Sequence, residues 1–331
     1  MTTEANMESI DRTGFGPTTT ADEVLDGIDL HGRLVLVTGA SSGIGAETAR
    51  ALAARGAYVV MALRNMQKGE EVAAEIRRST GNEAVELLQL ELGSLAAVRS
   101  AAAEFLSRHD RLDLLINNAG VMACPFGHTA DGHEMQFGTN HLGHFLFTGL
   151  LLPALLRSGS ARVVNLSSRG HRFSPVQFDD IGFEQRGYDK WLAYGQAKTA
   201  NILHAVELDR RFAAQGLRAF AVHPGAIITE LGRHMSEQDI EQVMARIQDT
   251  DTLIKSIPMG AATSCYAATA PELEGLGGRY LADCRLAEIN DDPASAQGLA
   301  SYAVDPANAA RLWELSEELC GAAFGKSAAA G

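Results

Sequence analysis

"VLVTGASSGIGAETARAL" (residues 35–52) sets Gly39, Gly43 and Gly45 between a short apolar run and an amphipathic stretch. An apolar run of this length, with no polar alternation, reads as a strand buried on both faces, and the stretch after it as a helix. Glycines at a strand-to-helix turn permit a tight bend and close backbone approach. The helix N-terminus then offers free N–H groups and the positive end of its dipole to a pyrophosphate. The spacing is GxxxGxG rather than GxGxxG, and no GK[ST] follows, which excludes a P-loop. A glycine-rich turn without a ligand is the competing reading.

Working outward, the same alternation continues along the chain. "AYVVMAL", "AVELLQL", "LDLLINNAG", "ARVVNLSS" and "LRAFAVHPG" are separated by helical stretches ending near Arg55 and Ser79, and by others near 95–108, 132–157 and 190–214. Strand and helix in strict alternation require parallel pairing through crossovers, so the fold class is a doubly wound parallel α/β sheet in one domain, residues 29–331. "GGRYLADC" (277–284) is expected as a late edge strand and "NAARLWELSEEL" (308–319) as a closing helix. Residues 1–28 read as a partly ordered leader with a short helix capped by Thr20 or Asp22. Segments 169–188 and 229–258 interrupt the alternation just after strand ends, where open α/β sheets bind ligands, and are expected to form a substrate rim.

Composition narrows the function. The chain has 331 residues, 46% hydrophobic and 21% charged, enough for a large core. Its 28 basic and 41 acidic residues give a net charge of -13, unsuited to nucleic acid or anionic lipid surfaces. Cys124, Cys265, Cys284 and Cys320 form no CxxC pair and are expected as free thiols in a reducing compartment. "LGHFLFTGLLLPALL" (142–156) falls short of the roughly 20 residues of a membrane span, and the acidic, polar N-terminus resembles no signal peptide. A cytoplasmic protein is expected. His133, His141 and His144 include an i, i+3 pair on one helix face, His141 and His144, but no third ligand stands at metal-binding spacing, so no metal site is expected.

Two further stretches carry chemistry. The second strand ends in "MALRN", with Leu63 and Arg64 where NAD-binding enzymes usually carry a carboxylate; this favours NADP, with NAD the alternative. "WLAYGQAKTAN" (191–201) places Tyr194 and Lys198 one helical turn apart on one face. Alone, such a pair is usually an ordinary helix-surface contact.

Together, "TGASSGIG", "NNAG" (117–120), "TNHLGHF", "VVNLSS", "YGQAK" and "HPG" (223–225) resemble, in order and context, the short-chain dehydrogenase/reductase family. "ALRNMQKGEEVAAEI" and "TADGHEMQFGTNHLGHFLFT" look particularly like its retinol-dehydrogenase-like branch, and "FGPTTTADEVLDGIDLHG" is similar to the leader of soluble members. The resemblance runs from about residue 15 to the "RYLADC" strand and beyond.

It implies a Rossmann fold and an alcohol dehydrogenase or carbonyl reductase acting on a lipophilic alcohol, aldehyde or ketone. Tyr194 would be the acid or base, with Lys198 its electrostatic partner and ribose ligand. Ser168, rather than Ser167, would orient the substrate oxygen, and Asn140 would hold a water in the proton relay. Cofactor contacts would come from Gly39, Ser41, Ser42, Gly43, Ile44 and Gly45 in the first turn. Asn118, Ala119 and Gly120 would serve the adenosine side, and Pro224, Gly225, Ile227 and Thr229 the nicotinamide side. Where the family commonly has Asp for the adenine, this chain has Glu91, followed by Leu92. The family also often dimerises through two long helices, here near 132–157 and 190–214.

These residue types suit the chemistry. A free tyrosine titrates near ~10, so a phenolate at pH 7 needs roughly three units of depression, about 4 kcal/mol. A neighbouring cation in a water-shielded site supplies much of that. A catalytically silent, cofactor-sensing scaffold is the alternative function; a damaged catalytic set would favour it, and this set is intact.

Overall fold

The computed structural model describes residues 13–249, 252–293, 295 and 297–325. Among the described residues, eight strands form one sheet in the order β3-β2-β1-β4-β5-β6-β7-β8. They are β1 (Leu34–Thr38), β2 (Tyr58–Leu63), β3 (Val85–Gln89), β4 (Leu114–Asn117), β5 (Ala161–Leu166), β6 (Leu217–His223), β7 (Arg279–Ala282) and β8 (Arg285–Leu286). The first seven pair in parallel; the two-residue β8 pairs antiparallel with β7 and forms the edge. "GGRYLADC" therefore supplies β7 and the turn to the edge, not the edge alone.

The apolar strand runs are buried on both faces. Val35 and Val37 of β1 join one core while Leu36, pointing the opposite way, joins the other. Helices cover each face: α1 (Ala21–Val24), α2 (Gly43–Ala53), α3 (Met66–Thr80) and α9 (Ile257–Thr269) on one, and α4 (Leu95–Arg108), α6 (Gly143–Ser158), α7 (Lys190–Phe212) and α10 (Pro306–Cys320) on the other. The remaining two are α5 (Met135–Phe137) and α8 (Glu237–Asp249). Thr20 caps α1 in a reciprocal capping box with Glu23, and Ala21, Val24 and Leu25 are buried against the first core. The start of the leader, residues 1–12, lies outside the described residues.

Two departures from the expected pattern have physical causes. The helix expected over 132–157 starts later, because Gly132 adopts a positive φ of 84°; α5 is followed by a π-helical segment, Gly138–Leu142, before α6. Segment 229–258 contains the helix α8, whose apolar residues Ile240, Val243, Met244 and Ile247 recur at helical spacing. The expected closing helix is α10, which lies across α6 and α7: the Trp313 ring meets Phe145 at 5.0 Å, His204 at 6.0 Å and Phe212 at 6.2 Å between centroids.

Candidate active site

The sheet order reverses direction between β1 and β4, and the crevice outside these strand ends is the usual ligand seat of such folds. Here the C-terminal ends of β1, β2, β4, β5 and β6 open into one cleft of about 710 Å³. At its floor, Gly39 has φ +68°, and a Cβ there would stand 2.8 Å from the Cα of Ala119. A Cβ on Gly45 would run into the Gly39 carbonyl and the Asn118 amide. Ser42 is the N-cap of α2 but forms no side-chain cap hydrogen bond. The first-turn amides, which no helix satisfies internally, begin at Gly43, Ile44 and Gly45, all of which line the cleft with Ser41. Missing Cβ atoms and a helix N-terminus fit the pyrophosphate of a dinucleotide.

A buried network locks this floor to the next strand. The Thr38 hydroxyl accepts from the backbone N–H of Asn118 (2.9 Å) and Ala119 (3.0 Å), and Asn118 Nδ2 donates to the Thr38 carbonyl at 2.8 Å. His144 contacts the Asn140 carbonyl through Nδ1 and the Thr38 hydroxyl through Nε2, both at 2.9 Å. A carbonyl only accepts, so Nδ1 carries the proton and Nε2 accepts from Thr38. Burial pushes the His144 pKa down to about 4, which keeps this neutral tautomer. His141 contacts Ser316 Oγ at 2.8 Å. Both histidines thus serve hydrogen bonds inside the fold.

At the other end of the cleft, Tyr194 and Lys198 project from α7 beneath the end of β5. Two glycines let the chain cross here: a Cβ on Gly170 would stand 2.8 Å from Tyr194 Cε1, and one on Gly195 would stand 2.8 Å from the Gly170 carbonyl. Ser168 lines the cleft, hydrogen-bonds Tyr194 and accepts from Gly170 N–H at 3.0 Å. Ser167 instead donates to the Lys198 carbonyl at 2.8 Å and is buried, tying β5 to α7. Lys198 Nζ donates to the Leu166 carbonyl at 3.0 Å and stands 5.5 Å from the centre of the Tyr194 ring. Asn140 sits in the π segment, fully buried, with its side-chain amide paired to both backbone groups of Val121 (2.8 and 2.9 Å). A Cβ on Gly120 would approach both Asn140 Oδ1 (3.1 Å) and Lys198 Nζ (3.7 Å), so the amide and ammonium share one corner.

Burial dominates the electrostatics. It pushes the Tyr194 phenol up to about 12, against the Ser168 hydrogen bond that favours the phenolate, and pushes the Lys198 amine down to about 8. In the protein alone, a neutral-pH phenolate is therefore further away than the free side chain's ~10 implies. The resting pair is a neutral phenol beside an ammonium.

Arg64 and Glu91, expected as separate contacts for phosphate and adenine, lie at the mouth as an ion pair of 3.5 Å, the arginine 70% exposed. Leu92 lines the cleft beside them, and Pro224, Gly225, Ile227 and Thr229 line it after β6. Gly225 has φ +103°, and a Cβ there would strike Lys255, which is buried and paired with Asp283 at 2.5 Å. Two mouth residues had no reading in the sequence, Lys68 and Glu230, which form an ion pair of 2.7 Å. The apolar wall falls largely in the two expected rim segments, whose individual residues the sequence did not single out: Phe173 and Trp191 line the cleft with Ile240, Val243, Met244 and Ile247 of α8. The helical spacing of those four residues was its available signal. An ion pair of 2.5 Å between Lys190 and Asp239 fastens α8 to the start of α7.

A glycine-turn dinucleotide seat joined to a Ser–Tyr–Lys cluster on a doubly wound sheet defines a class of nicotinamide-dependent oxidoreductase. A family model for the short chain dehydrogenases matches residues 33–240, and the chain belongs to that family as an NAD(P)-dependent oxidoreductase of CH–OH groups. Within it, the chain is similar to "Retinol dehydrogenase 12" of Mus musculus, 42% identical over 294 residues, 89% of this chain and 88% of that one. Among solved structures it resembles an uncharacterized protein from Mycobacterium Paratuberculosis, with TM-score 0.70, 37% identity, and coverage of 93% of this chain and 99% of that one. The Pseudomonas aeruginosa RhlG/NADP active-site complex is also similar, with TM-score 0.61, 26% identity, and 77% and 95% coverage.

Proposed function

We propose that this protein is an NADP(H)-preferring carbonyl reductase or alcohol dehydrogenase for lipophilic substrates such as retinoid-like, steroid-like or aromatic carbonyl compounds. The observation that carries the reading is the convergence of Ser168, Tyr194 and Lys198 in a cleft whose other wall is the apolar face of α8. The retinol dehydrogenase relative supports a lipophilic substrate, and the similar RhlG/NADP complex supports the nucleotide.

When bound, the nicotinamide supplies or accepts the hydride. Tyr194 Oη exchanges the proton of the substrate oxygen, and Ser168 Oγ donates to that oxygen as charge develops on it. Lys198 stabilises the negative phenol oxygen left behind, and the Asn140 corner passes a replacement proton toward Lys198 through water. A phenol held neutral by burial suits reduction, because it begins the step with the proton to give. Arg64, with its ion-pair partner exposed, is the 2′-phosphate ligand, and Glu91 contacts the adenine.

The proposal includes a cytoplasmic setting, supported by four free and buried cysteines. No helix among the described residues is long and apolar enough to cross a membrane. Pairing of two copies through α6 and α7 is a further proposal, and it must accommodate α10, which already covers both helices; sedimentation decides it. The functional test is NADPH oxidation across a panel of such carbonyls, where turnover of at least one is expected. Tight NADPH binding with silence across the panel would instead support a cofactor-sensing scaffold.

A further inference from the structure

The three strand ends at the cleft mouth are joined by one side chain. Glu230 follows β6, in a short turn capped by Thr229. One carboxylate oxygen accepts from Ser42 Oγ at 3.0 Å, and the other pairs with Lys68 Nζ at 2.7 Å. Ser42 is the N-cap of α2, after β1, and Lys68 lies in the first turn of α3, after β2. All three residues line the cleft.

The two groups Glu230 occupies are the kind a phosphate requires. A hydroxyl at a helix N-terminus and an ammonium beside it would meet oxygens of a pyrophosphate or a ribose phosphate. Lys68 and Arg64 are cations of this cleft at the end of β2, and each is held by a carboxylate of the chain, Glu230 and Glu91. The Glu230 side chain is 62% exposed. An ion pair that open to water is worth little, so a multiply charged ligand can displace it.

We propose that Glu230 tunes nucleotide affinity and selectivity by competing, through its carboxylate, with cofactor phosphate for Lys68 and Ser42. In this role Lys68 is a specificity determinant that exchanges Glu230 for the ligand's 2′-phosphate. The carboxylate discriminates most strongly against the more highly charged nucleotide, because repulsion grows with the ligand's negative charge. The inference rests on the dinucleotide-binding reading of the cleft.

The test is fluorescence titration of wild type, Glu230→Gln, Lys68→Met and the double variant with NADPH and NADH, with calorimetric titration of adenosine 2′,5′-bisphosphate as a fragment lacking nicotinamide. Thermal unfolding of each variant establishes that it is folded. Glu230→Gln is expected to tighten NADPH and the bisphosphate by about threefold or more, the scale of an exposed ion pair. NADH should gain less, and the extra gain should vanish in the Lys68→Met background. Raising the salt concentration should shrink the difference between wild type and Glu230→Gln. Unchanged or weaker NADPH binding by Glu230→Gln overturns the proposal, since a closing clamp rather than a competitor would behave that way. Equal gains for NADPH and NADH overturn the role of Lys68. If wild type binds neither nucleotide, the dinucleotide reading itself fails, and this inference with it.

Discussion

Lys198 stands one helical turn after Tyr194, yet its Nζ donates to the Leu166 carbonyl at 3.0 Å and lies 5.5 Å from the centre of the tyrosine ring. The lysine is thus held by the end of β5 rather than by the phenol, and the action proposed for it on Tyr194 is through space. Tyr194→Phe should therefore leave the lysine in place and nucleotide affinity unchanged, while kcat falls about 100-fold or more, the range of a lost acid or base. Stopped-assay kinetics and an NADPH titration on the same preparation check this. Retained turnover would remove Tyr194 from the mechanism.

The Lys198 amine, pushed down to about 8 by burial, loses its charge within an accessible pH range. For carbonyl reduction, kcat/KM should decline as pH rises through about 8, because the cation that stabilises the phenolate product is then neutralised. A flat profile to pH 10 would show that the lysine's charge does not matter to the step.

Arg64 should matter to one nucleotide more than the other. Its pair with Glu91 is exposed and worth little by itself. Arg64→Gln should weaken NADPH about tenfold, the order of one charge-assisted hydrogen bond, and leave NADH nearly unchanged. Equal losses for both would refute the 2′-phosphate role.

Gly45→Ala tests the floor of the cleft. The new methyl would meet the Gly39 carbonyl and the Asn118 amide, both fixed by the Thr38 network. A cost of about 1–3 kcal/mol is expected for forcing these apart, visible as a lowered Tm together with weaker NADPH binding. An unaltered Tm would mean that the turn gives way more easily than its contacts indicate.

Three buried imidazoles, with the half-buried His223, give stability a definite pH dependence. Burial lowers His144 and His171 to about 4 and His204 and His223 to about 3. Well above their unfolded pKa of about 6.5 they are neutral whether folded or unfolded. Below it the unfolded chain binds protons that the native state refuses, so stability falls with falling pH toward 4, each histidine adding up to about 1.4 kcal/mol per pH unit. At His171 burial is reinforced by Nε2, which accepts from Ala300 N–H at 3.1 Å and so has no place for a second proton, while Nδ1 donates to the Ser168 carbonyl at 2.7 Å. Denaturant unfolding between pH 7 and 4.5 should show this slope, reduced in His171→Gln.

What was legible in the chain was whatever local pattern controls. The apolar runs that became β1 to β6, the helices between them, and the positions of Gly39, Gly43 and Gly45 follow from burial on both sheet faces and from turn sterics, which act over a few residues. Thr20 as a cap and the pairing of Tyr194 with Lys198 on one helix face belong to the same class. The apolar spacing of α8 was equally local, but the surrounding loop residues masked it.

Long-range placement was decided only by the tertiary structure. The resemblance already separates Ser168 from Ser167, but the contacts behind the difference exist only in the fold: Ser167 braces the Lys198 carbonyl and Ser168 meets Tyr194. Glu230 reaches Ser42 and Lys68 across separations of 188 and 162 residues because three strands end side by side. Burial also reverses the expected sense of the Tyr194 shift, since desolvation depends on everything packed around the phenol rather than on its neighbours in the chain. Periodicity and turn chemistry are written in successive residues; partnerships and dielectric arise only once the sheet has brought distant strand ends together.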